Sequence, residues 1–436
     1  MEASMNAQWA DRIVAVVDPD QVCRLALDLC DIASPTGEED ALSAFIVDWF
    51  KRNGLVGTRQ EVETNRSNAI GILRGGSSGP SLMLNGHMDT GMHLRHDEVI
   101  GPVPPKRAIL PTRIENGVLY GTGMDNMKSG LAAIMSAAKA IKDAGFTLNG
   151  DLIVAGVAGE VSRAPVDQYQ GPYYRSKGLG TRYLLTHGII SDYAIVADTS
   201  HFGLTWAQCG VVYAKITVGG RPFYTPFTRR SADPRVSHNA IIKMGIVIQA
   251  FEKWAADYEA RAIYHFAAGE VHPKASIGAI AGGVPFKVAN SPIACSLYVD
   301  VRTPPGLTPR QIQRELRTML DDTGIDYDLE LFTTQMGYEG KGVEPIVKAI
   351  SDAHEIVAGK PLPPIDPVEN SMWTDTNLYN ELNIPAVKFG IGAALRAGPD
   401  GELHNMVRLR DSTSVDDLLN ATKIYAISAL QICGVA

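Results

Sequence analysis

The sequence contains few cysteines, and their spacing excludes several classes of protein. Its 436 residues include five, Cys23, Cys30, Cys209, Cys295 and Cys433, and no two have the Cys-x-x-Cys spacing. An odd, scattered set argues against a disulfide framework and against a thiolate metal site, and it predicts buried free thiols. Any bound metal ion would therefore depend on His, Asp and Glu side chains.

An excess of positive charge is also missing. The formal net charge is -8, which argues against nucleic acid or an anionic membrane as the main partner, because both require a basic face. No apolar run approaches the length of a membrane span. The first twenty residues have no basic segment ahead of their apolar patch, unlike a secretory signal. We therefore expect a cytoplasmic protein that acts on a small molecule.

The length and the hydrophobic pattern predict two domains. A chain of 436 residues exceeds the size at which one core stops growing. Apolar strands alternate with helices at both ends of the chain, which indicates an α/β fold with a mixed sheet covered by helices on both faces. The expected strands are 69–73, 82–84, 152–157, 193–196 and 386–389, and the main helices are 127–144, 181–187, 346–358 and 415–432. Two further helices are expected within 21–54, the second capped by Ser34 or Thr36.

The middle of the chain has a different pattern. We predict strands at 211–218, 277–281 and 296–302 and helices at 239–260 and 309–320, an order typical of a small α+β sandwich with one open face. This block appears between the two α/β segments. The predicted division is 1–205 and 323–436 for the first domain and 206–322 for the insert.

The segment LMLNGHMDT, residues 82–90, is the strongest single indication of chemistry. An apolar strand leads directly into Gly86, His87 and Asp89. Because side chains alternate along a strand, His87 and Asp89 point the same way. A carboxylate beside an imidazole fixes its tautomer and strengthens it as a metal ligand. The alternative is that the two residues only cap the strand.

Four other segments place polar groups at the ends of predicted elements. Asp125 and Asn126 begin the alanine-rich helix, Glu160 and Asp198 each follow a buried strand, and His404 lies in a glycine-rich loop. Ligands of open α/β sheets bind beyond the carboxyl ends of the strands. Nitrogen and oxygen donors without sulfur suit Zn, Mn or Co. Each residue taken alone could instead be a cap or a surface residue.

Over nearly its full length, the chain resembles the metal-dependent amidohydrolases that include aminoacylase, glutamate carboxypeptidase, acetylornithine deacetylase and succinyl-diaminopimelate desuccinylase. The matching segments, in order, are ASPTGEED, LNGHMDT, YGTGMDNMKSGLAA, VAGE, GTRYLL, AIVADTS, SHNAI, LYVDVRTPP and TDTNLYNELNIPAVKFGIG, followed by His404. The resemblance implies a catalytic domain interrupted by a smaller dimerisation domain, and hence a homodimer or higher homo-oligomer.

The resemblance also implies roles for individual residues. His87 would bind metal, Asp89 would orient it, and Asp198 and His404 would be further ligands. Glu160 would be the general base that activates water.

Three positions depart from the family pattern. Asn126 stands where an Asp normally bridges two metal ions, with Asp125 one residue earlier, and Val161 stands where a second Glu normally binds one of them. Tyr224 stands where the inserted domain normally offers an oxyanion-binding His, and it could donate a hydrogen bond or merely pack. We therefore predict one divalent ion per subunit, Mn or Zn, held by His87, Asp198 and either Asp125 or Asn126. His404 is kept as a ligand or substrate contact.

These residues favour a metal-dependent hydrolase of a carbon–nitrogen bond. The leading hypothesis is deacylation of an N-acyl amino acid or a similar amide that carries a carboxylate. The second is hydrolytic deamination of an aromatic amine such as a nitroanthranilate, as in the related 5-nitroanthranilate aminohydrolase. The third is a metal-free binding protein derived from the hydrolase fold, since two ligand positions are altered.

Overall fold

The computed structural model describes residues 2–76, 78–91, 111–392 and 411–436. The helices in these ranges are α1 (Glu2–Val16), α2 (Pro19–Asp31), α3 (Asp40–Arg52), α4 (Ser129–Asp143), α5 (Leu179–Thr186), α6 (Ala240–Arg261), α7 (Pro309–Asp321), α8 (Glu344–Ala358), α9 (Pro367–Ser371), α10 (Thr376–Glu381) and α11 (Val415–Cys433). The strands are β1 (Val56–Glu63), β2 (Arg66–Leu73), β3 (Leu82–His87), β4 (Arg113–Glu115), β5 (Val118–Tyr120), β6 (Leu152–Val157), β7 (Tyr193–Val196), β8 (Ala207–Gln208), β9 (Gly210–Gly219), β10 (Tyr264–Phe266), β11 (Gly269–Val271), β12 (Lys274–Gly282), β13 (Ala294–Thr303), β14 (Tyr327–Gln335), β15 (Tyr338–Glu339), β16 (Ala386–Lys388) and β17 (Ser412–Ser414).

The chain divides into two compact units. The first comprises Met1–Trp206, Gly340–Asp366 and Thr374–Ala436, and the second comprises Ala207–Glu339 and Pro367–Trp373. The second unit extends beyond the expected boundary at residue 322 because β14, which follows that point, pairs with β9. The sequence did not predict β14, because apolar and polar residues alternate only weakly along it.

A six-stranded mixed sheet forms the centre of the first unit. Its strand order is β1-β2-β6-β3-β7-β16, with β3 parallel to both β6 and β7. All six residues of β3 and of β6 are buried, as expected for parallel strands covered on both faces. The predicted mixed-sheet α/β class is confirmed.

Helices cover both faces of β3. A side chain at Gly86 would meet Met127 and Leu131 on one face, whereas the Asn85 side chain, on the other, bonds Thr181 of α5 and Tyr379 of α10. Because alternate residues point to opposite faces, His87 lies on the same face as Asn85. The histidine is thereby placed at the carboxyl end of a central strand.

The second unit is a four-stranded antiparallel sheet with order β12-β13-β9-β14. Its core packs the buried face of that sheet against α6 and α7, whose apolar residues include Phe251 and Leu316. The predicted α+β class of the insert is confirmed, and its four-stranded sheet has one strand, β14, more than the three that were expected.

Two predictions drawn from composition can be compared with the structure. All five cysteines are free and buried, which confirms the expectation from their spacing. Within the described ranges, no helix is both long and apolar enough to cross a membrane.

Candidate functional site

His87 lies at the end of β3 with each ring nitrogen beside an oxygen atom. Its Nδ1 is 2.9 Å from the backbone carbonyl oxygen of Asp89. Its Nε2 is 2.7 Å from Oδ1 of Asn126 and 3.7 Å from Oε2 of Glu160. If Nδ1 donates its proton to the carbonyl, the lone pair of Nε2 points toward the other two oxygens. This arrangement presents nitrogen and oxygen donors to one small volume.

Asp89 connects the histidine to the segment that carries Glu160. Its Oδ1 accepts a hydrogen bond from the backbone N–H of Glu160 at 2.9 Å and lies 3.5 Å from Nδ1 of His87. Its Oδ2 accepts from the Thr36 hydroxyl at 2.8 Å. Burial raises the pKa of Asp89, but His87 and these hydrogen bonds outweigh it and the pKa is lowered. Asp89 is therefore held as a carboxylate.

The ASPTGEED segment holds the chain that follows β3. The Ser34 hydroxyl donates to the carbonyl oxygen of Met88 at 2.7 Å, and the N–H of Thr90 donates to the carbonyl oxygen of Ser34 at 2.9 Å. The expected helix cap at Ser34 or Thr36 was wrong: α3 begins after Glu39, without a side-chain cap. Both hydroxyls are instead bonded to residues 88 and 89.

A buried ion pair lies behind this segment. Arg66 donates from Nε to Oε2 of Glu39 at 2.9 Å and from Nη2 to Oε1 at 2.7 Å, and both side chains are fully buried. Its Nη1 donates to the carbonyl oxygens of Pro172 and Arg175. Arg66 thus joins the ASPTGEED segment to the loop that follows Glu160.

The segment before α4 turns sharply and points Asn126 toward His87. Asn126 has φ -122° and ψ 92°, outside the helical region, and its Oδ1 is the atom that lies next to Nε2. The carbonyl oxygen of Asp125 accepts a hydrogen bond from the Thr199 hydroxyl at 3.0 Å, and Asp125 is buried. The side chain of Asn126 therefore contacts the histidine.

Asp198 follows β7, the parallel neighbour of β3. It is buried, and its Oδ1 accepts a hydrogen bond from the N–H of Thr199 at 2.7 Å. Its charge acts on His87 and on Glu160. The structure therefore brings Asp198 into the same region as His87 and Glu160.

Asp375 is a further buried carboxyl group in this region. Its Oδ2 accepts a hydrogen bond from the Thr181 hydroxyl at 2.5 Å, and Thr181 accepts one from Nδ2 of Asn85 at 3.0 Å. Asp375 is 1% exposed, and its Oδ1 has no hydrogen-bond partner within the described ranges. A buried polar atom of this kind is uncommon away from functional sites.

Negative charge is concentrated around His87. Burial, followed by the charges of Asp198 and Asp375, raises the pKa of Glu160 to about 8, although His87 opposes this shift. Burial also raises the pKa of Asp375 to about 7. Burial lowers the pKa of His87, but Asp89, Glu160 and Asp198 raise it well above its ordinary value.

Crowded carboxyl groups beside an imidazole are a chemical environment that a divalent cation would stabilise. The donor types around Nε2 of His87 fit such an ion. However, within residues 2–76, 78–91, 111–392 and 411–436, no three His, Cys, Asp or Glu side chains converge as one metal ion requires. Asn126 adds an amide oxygen, and His404 lies outside the described residues.

Tyr224 belongs to the second unit. Its side chain is 51% exposed and packs edge-on against Phe227, with ring centroids 5.8 Å apart. Its proposed hydrogen bond to developing charge stays a prediction.

Sequence reasoning missed several residues of this region. Thr36 and Asp375 lie within the segments ASPTGEED and TDTN, but Thr36 was expected only as a helix cap and no role was assigned to Asp375. Arg66 and Lys177 gave no signal, because a lone cation in a polar stretch usually indicates a solvated surface. Only the fold shows that both are buried.

A mixed sheet that presents a buried histidine and several carboxyl groups beyond its parallel strands, together with a separate α+β unit, is typical of a hydrolase. The comparison with protein families is specific. The model of peptidase family M20/M25/M40 matches residues 83–431, so the chain belongs to this family. The chain is accordingly a hydrolase that acts on carbon–nitrogen bonds, as predicted.

Individual relatives agree with this assignment. The N-formyl-4-amino-5-aminomethyl-2-methylpyrimidine deformylase of Bacillus subtilis is 26% identical over 429 residues, covering 92% of this chain and 91% of the relative. Human carnosine dipeptidase 1 has a similar fold, with a TM-score of 0.68 at 13% identity over 99% of both chains. The Bacillus subtilis YXEP protein, described as a dinuclear metal-binding peptidase, has a TM-score of 0.60 at 14% identity, covering 96% of this chain and 99% of that one.

Proposed function

We propose that the chain removes a small acyl group from an N-acyl amino acid or a similar amide that carries a carboxylate. The observation that carries this proposal is the position of Nε2 of His87, 2.7 Å from Asn126 and 3.7 Å from Glu160. A deformylase that resembles the chain over almost its whole length supports a small acyl group.

The proposed cofactor is one divalent metal ion, Mn or Zn. His87, Asp198 and Asn126 would hold it, with Asp125 as the alternative to Asn126 and His404 as a further ligand. When bound, the ion would supply a Lewis acid that lowers the pKa of water and polarises the amide carbonyl. A single ion is proposed because Asn126 is neutral and Val161 cannot bind metal.

Glu160 is the proposed general base. Its carboxyl group is buried and lies beside His87, and its segment is fixed through the hydrogen bond from its own N–H to Asp89. A carboxylate there can take a proton from the attacking water and return it to the leaving nitrogen. Asp89 orients the imidazole and sets the position of the base at the same time.

Metal content and turnover test this proposal together. We expect one equivalent of Mn or Zn in the purified protein, loss of activity on chelation, and recovery when metal is restored. Glu160→Gln should lower kcat by about 10²–10⁴-fold with metal still bound, since this is the usual contribution of a general base. Two equivalents of metal, or full turnover by Glu160→Gln, would contradict it.

A substrate comparison separates acyl transfer from the alternative reaction. N-formyl and N-acetyl amino acids should be hydrolysed, whereas aminobenzoates should release no ammonia. The reverse result would favour deamination of an aromatic amine. The observation that motivates this alternative is the change at two ligand positions, Asn126 and Val161.

We also propose that two copies associate through the second unit. Strand β12 is an edge strand whose residues from Gly278 onward are exposed, and exposed apolar side chains such as Phe286, Val288 and Ile293 flank it. Edges and patches of this kind are commonly covered by another chain. Sedimentation should give a dimer for the native protein and a monomer for Phe286→Glu with Val288→Glu.

A further inference from the structure

Lys177 is a buried cation in the loop that follows Glu160 along the chain. Only 5% of the residue is exposed, and its Nζ donates a hydrogen bond of 2.9 Å to Oγ of Ser162. Ser162 is two residues after Glu160, so the ammonium group lies on the segment that carries the candidate base. A lysine in this environment requires an electrostatic reason, because burying its charge is unfavourable.

The backbone fixes Lys177 close to Glu160. The N–H groups of Gly178 and Leu179 both donate to the carbonyl oxygen of Gly159, at 2.9 and 3.0 Å. Lys177 itself has φ 58°, in the left-handed region that favours glycine. Strained residues of this kind persist where the surrounding structure requires them, and they cluster at functional sites.

Two positions of the candidate site carry no negative charge. By the family resemblance, Asn126 and Val161 replace two acidic residues that bind the second ion of a two-metal site. The YXEP protein, which has the same fold, is described as dinuclear. In a chain that lacks both acids, a buried lysine on the loop that follows the candidate base offers a positive charge in place of a second ion.

We propose that the ammonium group of Lys177 supplies, beside Glu160, the positive charge that a second metal ion supplies in two-metal relatives. This inference rests on the proposed function, in which negative charge develops on the carbonyl oxygen as water attacks. A fixed cation in a buried site stabilises such charge without reorganisation of solvent.

Turnover by charge-changing variants is the first test. Lys177→Met should lower kcat by about 100-fold or more, the size seen when one stabilising donor is removed, with Tm and metal content unchanged. Lys177→Arg keeps the charge and should retain most of the activity. Arg163→Met is the matched control, because Arg163 is a cation of the same loop that packs over Tyr173. Equal kcat for Lys177→Met and the native protein would overturn the proposal.

Metal affinity provides a test that does not depend on activity. The double variant Asn126→Asp with Val161→Glu restores both acidic groups. Titration of this variant with Mn²⁺ then measures its affinity for a second ion. Adding Lys177→Met should tighten binding of that ion by about tenfold or more, since a like charge close by is removed. Unchanged affinity would overturn the proposal. Failure of the native protein to hydrolyse any amide would instead refute the proposed function and leave this measurement valid.

Discussion

Asp89 accepts a hydrogen bond from the backbone N–H of Glu160 at 2.9 Å, while its carboxylate lies 3.5 Å from Nδ1 of His87. One buried side chain therefore sets the position of both the candidate ligand and the candidate base. Asp89 and Glu160 are 71 positions apart in sequence, and they follow the neighbouring parallel strands β3 and β6. A change at Asp89 should consequently affect metal binding and proton transfer together.

Asp89→Asn should retain the fold but lower both metal affinity and kcat by about 10–100-fold, the usual effect of losing a partner of a metal-bound histidine. The amide has one acceptor oxygen and no charge, so it cannot serve His87, Thr36 and Glu160 at once. Metal titration and steady-state kinetics measure the two effects. Asp192→Asn is the matched control, because Asp192 also accepts two hydrogen bonds, both from Ser81, at the start of β7. Equal kinetics for the two variants would argue against a special role for Asp89.

The buried Arg66–Glu39 pair makes a second prediction. Arg66→Met leaves the Glu39 carboxylate buried without its partner, and it should lower the free energy of unfolding by about 3–5 kcal/mol. The neighbouring pair of Arg59 and Asp40 is partly exposed. Arg59→Met should therefore lower the free energy of unfolding by about 1 kcal/mol or less. Urea denaturation of both variants gives the comparison. A loss of similar size in the two would show that burial of the Arg66 pair has no particular consequence.

The sequence predicted those parts of the fold that carry strong periodicity. Strands β6 and β7 match their predicted bounds, since each is a continuous apolar run with a clear end. By contrast, β1 and β14 were missed because their residues are largely polar or half-exposed. Such strands form because a neighbour offers hydrogen bonds, and that information lies far away in the sequence.

The residues of the candidate site likewise fall into those that the sequence predicted and those that only the structure shows. His87, Asp89 and Glu160 were predictable because each follows an apolar strand, and parallel strands bring their ends together. Asp375 and Lys177 follow no such strand and are buried only through the packing of other segments. Asn126 is instructive, because its departure from the family pattern was readable in sequence, whereas its contact with His87 was visible only in the structure.

The cysteines make a prediction about chemical reactivity. All five thiols are buried, and burial raises the pKa of both Cys30 and Cys209 to about 12. Because the thiolate is the reactive form, a thiol reagent should modify the native protein very slowly at neutral pH. After denaturation, all five should react rapidly, as measured by absorbance of the released chromophore. Rapid reaction of one thiol in the native state would identify a segment that opens locally.

His354 predicts a pH dependence of stability away from the site. It is buried on α8, its Nδ1 lies 3.0 Å from the carbonyl oxygen of Lys360, and burial lowers its pKa below the ordinary 6.5. The unfolded chain then binds a proton at His354 more readily than the folded chain, so this residue's contribution to stability is complete above about pH 6.5 and is lost as pH falls. Between about pH 7.5 and 5.5, Tm should therefore fall more for the native protein than for His354→Gln. His187→Gln, at an exposed histidine, should behave as the native protein does, and a parallel decline in all three would remove His354 as the cause.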